Sequence, residues 1–298
     1  MHSLRQGLGI AINNFRSWHK NPKIILSFCL GLIFCFLLSD KVVGFADKHN
    51  TILQIMEVFI WTFGDLKSIL VISLILILIF SDIPNLGNEV PFVLIRTNRF
   101  VWMLGQIIYI ILTTFLYTLF IMLSTFILSG RKSFTANMWS KTAAIMGYSN
   151  IGQRIAVPAF VKVLEFSFPY EVALHIFGLM LGYSLVLSGI VLLFNIIKDK
   201  AGMIAGVVFS GFGFIVNPEV ILNWLHIPTE RKVEANIIFG WISPLNHATY
   251  YMHNFGYDNL PRLWQSYVFF GLFSLTLFGL SLWRIRSYSF DFTGTESV

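Results

Sequence analysis

Apolar runs alternate with polar breaks along the chain, and the break at 81–106, SDIPNLGNEVPFVLIRTNRFVWMLGQ, separates the two longest runs of the N-terminal half, 69–80 and 107–128. A bilayer crossing takes about 20 mostly apolar residues. On that measure the pattern predicts six spans, at about 24–38, 66–80, 100–128, 170–197, 201–222 and 264–283. Ahead of the first, Leu4, Leu8, Ile12 and Phe15 recur at helical spacing among Arg5, Arg16, Lys20 and Lys23. Residues 1–23 therefore read as an amphipathic helix lying flat on an anionic leaflet. The stretch is too long and too polar before its apolar run for a secretory signal, so it is expected to be retained.

The breaks carry patterns of their own. Within 81–106, Asn88 offers an acceptor to free backbone N–H groups and Glu89 complements a positive helix end. Pro91 is tolerated in a first turn, and Phe92, Val93, Leu94 and Ile95 follow before Arg96 and Arg99 close the segment with positive charge. A short helix is predicted, fit either to lie at the lipid interface or to dock into a partner. Between spans one and two, Ile52, Ile55, Met56, Phe59, Ile60 and Phe63 form a stripe interrupted by Glu57, so span two is expected to begin as an interfacial helix. Residues 129–169 form a long polar connection. The connection 217–262 is too apolar for a solvent loop, holding Trp224, Trp241, Tyr250 and Tyr251, and Pro218, Pro228, Pro244 and Pro261 cut it into short pieces. A re-entrant helical pair, dipping part-way into the membrane, fits it.

Composition fixes the class. Of 298 residues 56% are hydrophobic and 12% charged, against about 25% charged in soluble domains. The chain is expected to be a single all-α transmembrane domain. Its net charge of +6 is spread through the loops without an aromatic-interleaved basic patch, which excludes nucleic acid as the expected partner. Cys29 and Cys35 lie too far apart along one helix to bridge. With six spans both termini share a side. That side, with 81–99 and 198–200, holds 10 basic residues in short segments, against 11 in the longer opposite loops. Short loops dominate orientation, so both termini are expected in the cytoplasm and the chain in the cell membrane.

Candidate chemistry is sparse. Span three has many hydroxyls, most of which are expected to bond back to their own helix. Gly202, Gly206, Ser210 and Gly213 share one face of span five, a surface for packing within the chain or against a second copy. His247 and His253, with Asp258 nearby, are six residues apart, unlike the i, i+4 pair of a helical zinc site, and are expected to be structural. A polytopic membrane enzyme is thus one alternative, without a metal site to support it. An ion-driven carrier is another, although the spans lack the acids and bases such carriers place at depth. No phosphate-binding G-x-x-x-x-G-K-[ST] loop occurs.

Two segments carry a resemblance. The run from Leu94 to Gln106, LIRTNRFVWMLGQ, is similar to the segment of type-2 ATP-binding-cassette exporter permeases in which basic residues precede a Gly-Lys at the start of span three, with Gln106 in place of the lysine. The run from Trp241 to Asn246, WISPLN, is similar to the Ser-Pro element that follows that family's re-entrant helices. The layout of basic N-terminal helix, six spans, cytoplasmic helix and broken connection also resembles that family over the whole chain. The resemblance implies a passive permease that moves an amphiphilic or hydrophobic substrate, such as a lipid, peptide or antibiotic, while separate ATPase subunits bind ATP and Mg and hydrolyse the nucleotide. It implies no cofactor, metal or catalytic residue in this chain. Asn88, Glu89, Phe92, Ile95, Arg96 and Arg99 would form the coupling helix seated in the ATPase, and the small face of span five would meet a second permease, identical or sister, amid membrane lipids.

Overall fold

Short polar side chains set where the main helices begin. Asn21 caps α2 (Pro22–Lys48) by accepting from the Lys23 N–H at 3.0 Å. Asp65 does the same for α4 (Leu66–Phe80) and Asn98 for α6 (Arg99–Ser129), so each relieves an unpaired N–H of a first turn. The computed structural model describes residues 2–84, 90–149, 151–154, 157, 159–216, 218–226, 228, 231–256, 258–288 and 290. Helix dominates these residues. A parallel pairing of two two-residue strands, Leu53–Gln54 with Ser133–Phe134, is a minor departure from the all-α expectation.

Among the described residues four helical segments are long and apolar enough to cross a membrane: α2, α6, α10 (Pro169–Ile197) and Leu263–Ser287, which contains α15 (Leu263–Arg284). A fifth arises if α3 (Glu57–Phe63) and α4 count as one span broken by an 83° bend. The six expected spans are therefore met in part. The fifth, expected over 201–222, is divided: α11 stops at Ile215 (Ala201–Ile215), and α12 (Pro218–Trp224) starts anew. At about 22 Å, α11 is shorter than a hydrocarbon core of about 30 Å.

Two further segments depart from the sequence pattern. Helix α2 continues ten residues beyond Leu38, the expected end of span one. Ser39, Asp40 and Lys41 look like a boundary, yet Cys35, Ser39, Val42 and Ala46 keep one buried helical face through it. The stretch before α4 is a helix of its own, α3, set at 83° to α4, and every residue of it is buried inside the protein. Glu57, which seemed to interrupt its stripe, accepts from the Gln54 N–H at 3.2 Å, the Ser140 N–H at 2.7 Å and the Ser140 hydroxyl at 2.6 Å. It ties α3 to the start of α7 (Lys141–Tyr148).

At the centre stands α10, packed against α4, α6, α11 and α15. Its Gly178 and Gly182 let Tyr267 and Phe270 of α15 come close; a Cβ at Gly182 would lie 3.0 Å from the Phe270 ring. The N-terminal helix α1 (His2–Arg16) lies along α6, and Ile10 would meet a Cβ on Gly105 at 2.7 Å. Leu4, Leu8 and Ile12 of its predicted stripe stay exposed, whereas Phe15 turns in against Trp18 and Tyr109. In the connection before α15, α12 pairs with α13 (Lys232–Ile242) around Val216, Ile221, Leu222, Ala235 and Phe239.

Candidate functional site

The polar break after α4 contains α5 (Val90–Arg96), within the short helix expected there. Asn88 and Glu89 lie outside the described residues. Val90 is buried, and Val93 and Leu94 pack partly on the core, which turns the opposite side of the helix outward. Phe92 is 69% and Ile95 82% exposed, with Arg96 exposed beside them. Thr97 bonds back to the Val93 carbonyl through both its N–H and its hydroxyl, and Asn98 then starts α6. The result is a foot with two large apolar side chains and one cation at its surface.

Arg99 is placed differently from Arg96. Its guanidinium donates to the carbonyls of Arg286, at 3.2 Å, and Tyr288, at 2.9 Å, and stacks over Phe290. It holds the C-terminal segment against the start of α6. Gln106, in the position where the resembling family has lysine, is buried and accepts from the Asn14 amide at 3.2 Å. That amide pair fastens α1 to α6.

A residue not singled out from the sequence organises this end of the molecule. Asn195, buried near the end of α10, donates to the carbonyls of Ser81, at 3.3 Å, and Ile83, at 2.6 Å, and accepts from the Gly202 N–H at 2.8 Å. One amide thus joins the lead into the foot with the 198–200 turn, where Lys200 takes a left-handed conformation at φ 59°. A Cβ on Gly202 would fall 2.0 Å from the Val191 carbonyl oxygen. An asparagine inside an apolar run is the one sequence signal that would have found this clasp.

The small face of α11 is occupied by its own chain. Gly202 meets Asn195, Gly206 meets Ile77 and Val191, Ser210 is buried beside Tyr183, and Gly213 meets Leu245. Its opposite face, with Ile204, Val208 and Ile215, is exposed.

His247 and His253, kept apart by their spacing in sequence, converge on one hydroxyl. His247 Nδ1 lies 2.7 Å and His253 Nε2 2.8 Å from Ser266 Oγ at the start of α15. The other ring nitrogens face backbone carbonyls, Trp241 for His247 and Thr249 and Tyr250 for His253. Carbonyls only accept, so those nitrogens carry the protons and both remaining lone pairs look at a hydroxyl with a single proton. Burial pushes both imidazoles down, His253 to about 4, and half-buried Lys162 adds to the effect on His253. The pair seals the connection to α15. Asp258 acts on Lys162 instead, opposing the lowering that burial imposes on that ammonium. No group of three or more His, Cys, Asp or Glu that could hold a metal ion occurs among the described residues.

The long apolar helices, with exposed faces such as Ile33, Phe36 and Leu37 on α2 and Leu272 and Leu275 on α15, define a predominantly helical, multi-span membrane protein. Compared with known proteins, the chain matches no family model, no curated protein and no solved structure.

Proposed function

We propose that this chain is the permease subunit of an ATP-binding-cassette exporter of the type-2 kind, carrying an amphiphilic or hydrophobic substrate with ATP hydrolysed by a separate subunit. The observation that carries this reading is α5. Phe92 and Ile95 point outward on a two-turn helix between two membrane helices, beside exposed Arg96, and a cleft in a partner would bury both apolar side chains. Ion-pairing at such a surface would fall to Arg96, since Arg99 is engaged with its own C-terminal segment. In this reading α11 is a short fifth span and α15 the sixth, α12 and α13 form the re-entrant pair, and both termini lie in the cytoplasm of a cell-membrane protein. A second permease, identical or sister, packs against the outward faces of α2 and α11, because the small face of α11 is filled from within.

Affinity purification of the chain from its native membranes is expected to recover an ATP-hydrolysing subunit, and the chain stripped of partners to hydrolyse none. Replacing Phe92→Asp together with Ile95→Asp should remove that activity from the eluate without lowering the chain's own thermal stability. Retention of ATPase association by this double variant, or ATP turnover by the chain alone, would overturn the proposal.

A further inference from the structure

A cavity of about 520 Å3 opens between α2, α3 and α4 on the side of the molecule away from α5. That is within the range of about 300–1,000 Å3 typical of ligand-binding cavities. Its composition is graded. Phe34 and Leu38 of α2 and Val71 of α4 make an apolar wall, while Lys41 and Lys67 stand at the rim. Phe160 and Tyr251, tilted rings with centroids 4.3 Å apart, close another edge.

Depth follows from an ion pair at the opposite end. Lys23 and Asp82, 2.5 Å apart, set the starts of α2 and of the chain beyond α4 at one level. From there, at about 1.5 Å per residue, Lys41 is about 27 Å along α2 and Lys67 about 22 Å along α4. With a hydrocarbon core of about 30 Å, both ammonium groups come to the far boundary, where acyl chains meet headgroups. The Phe34–Leu38 wall lies below them, at the depth of the acyl chains.

The charges at the rim are not balanced. Neither lysine is in an ion pair among the described residues. Among the described lining residues the one carboxylate is Asp65, which accepts from the Tyr251 hydroxyl at 3.2 Å and from the Lys67 N–H at 3.2 Å, and its single negative charge against two lysines leaves the rim net positive. A net positive rim above an apolar wall at headgroup depth recognises an anion attached to a hydrocarbon chain.

We infer that this cavity binds an anionic amphiphile from the leaflet opposite the termini, its phosphate or carboxylate between Lys41 and Lys67 and an acyl chain against Phe34, Leu38 and Val71. The inference rests on the permease reading, to which it adds a class of substrate. Its test uses the isolated chain, so that its outcome is independent of any ATPase.

Purified chain in a neutral, non-ionic detergent is titrated with dioleoyl phosphatidylglycerol, dioleoyl phosphatidylcholine, oleate and glycerol phosphate, with thermal stabilisation as the readout. Phosphatidylglycerol and oleate are expected to stabilise, and their comparison separates a phosphate head from a carboxylate. Phosphatidylcholine and glycerol phosphate are expected to have no comparable effect. Lys41→Glu with Lys67→Glu should raise the half-saturating concentration about tenfold or more. Lys48→Glu, a single charge reversal on α2 outside the cavity, should leave it unchanged. Leu38→Trp, which fills the apolar wall, should also weaken binding while keeping both lysines. Equal stabilisation by phosphatidylcholine, saturation by glycerol phosphate alone, or identical behaviour of the Lys41/Lys67 and Lys48 variants would overturn the inference.

Discussion

Asn195 shows how much one side chain can hold inside an apolar helix bundle. Asn195→Ala would leave the Ser81 and Ile83 carbonyls and the Gly202 N–H without that partner in a site with no room for bulk water. An unsatisfied buried polar group costs about 1–3 kcal/mol, so the variant should unfold several degrees below wild type. Asn195→Asp should fare no better, because it keeps the acceptor for Gly202 but turns an oxygen toward two carbonyls. A wild-type melting temperature in both variants would remove the clasp from the account. The histidines give a pH dependence of definite sign. His253 binds its proton at about 4 in the fold and at about 6.5 when unfolded. Between those values the unfolded chain holds more protons, so the stabilisation present above pH 6.5 is lost as pH falls toward 4. Thermal unfolding in detergent from pH 7.5 to 4.5 should show that loss, and His253→Gln should flatten it. At this scale the sequence was legible by type but not by address. Arg96 and Arg99 look alike in the chain, and only the placement of Arg286, Tyr288 and Phe290 separates them. Likewise the six-residue spacing of His247 and His253 conceals a shared Ser266, because the chain between them is not one helix.

Elements were easiest to read where apolar length alone decides. The helices expected at 100–128, 170–197 and 264–283 appear within a residue or so of those limits, as α6, α10 and α15. Where periodicity and polarity disagree, polarity misled. Asp40 and Lys41 seemed to end the first long helix, yet their side chains lie on the exposed face while the buried face continues to Ala46. Glu57 seemed to break a stripe, yet it is the most deeply bonded acid described, with three donors from two segments. A prediction belongs to that joint. Glu57→Leu should cost about 3 kcal/mol or more, since the Gln54 and Ser140 N–H groups and the Ser140 hydroxyl all lose this acceptor in the interior, and should release α7 from α3 as a locally exchanging unit. Hydrogen exchange over 140–148 measures it; unchanged protection would count against the joint. The division of 201–222 was signalled by Asn217-Pro218, whose restriction on the preceding residue favours a boundary there.

Across the whole molecule, charge and apolar surface are arranged by end and by side. One end gathers Lys23 with Asp82, the exposed foot and the 198–200 turn; the other has Asp47 paired with Lys132. In a Cys29→Ser background, a maleimide that cannot cross membranes should label Lys132→Cys in intact cells and Arg96→Cys only after permeabilisation. The reverse pattern would place the foot outside and end the permease reading. The outward faces of α2, α11 and α15, where large apolar residues stay exposed, are what a chain surrounded by lipid or by a second membrane protein requires.

The single amide of Asn195 also has a mechanical meaning. A hydrogen bond tolerates a stretch of only a few tenths of an ångström before it is lost, and this side chain grips three backbone groups from two stretches of chain at once. The segment leading to the foot and the hairpin between α10 and α11 are thereby geared together. Any rocking motion delivered to one arrives at the other without slack, and reaches the central helix α10 in the same stroke.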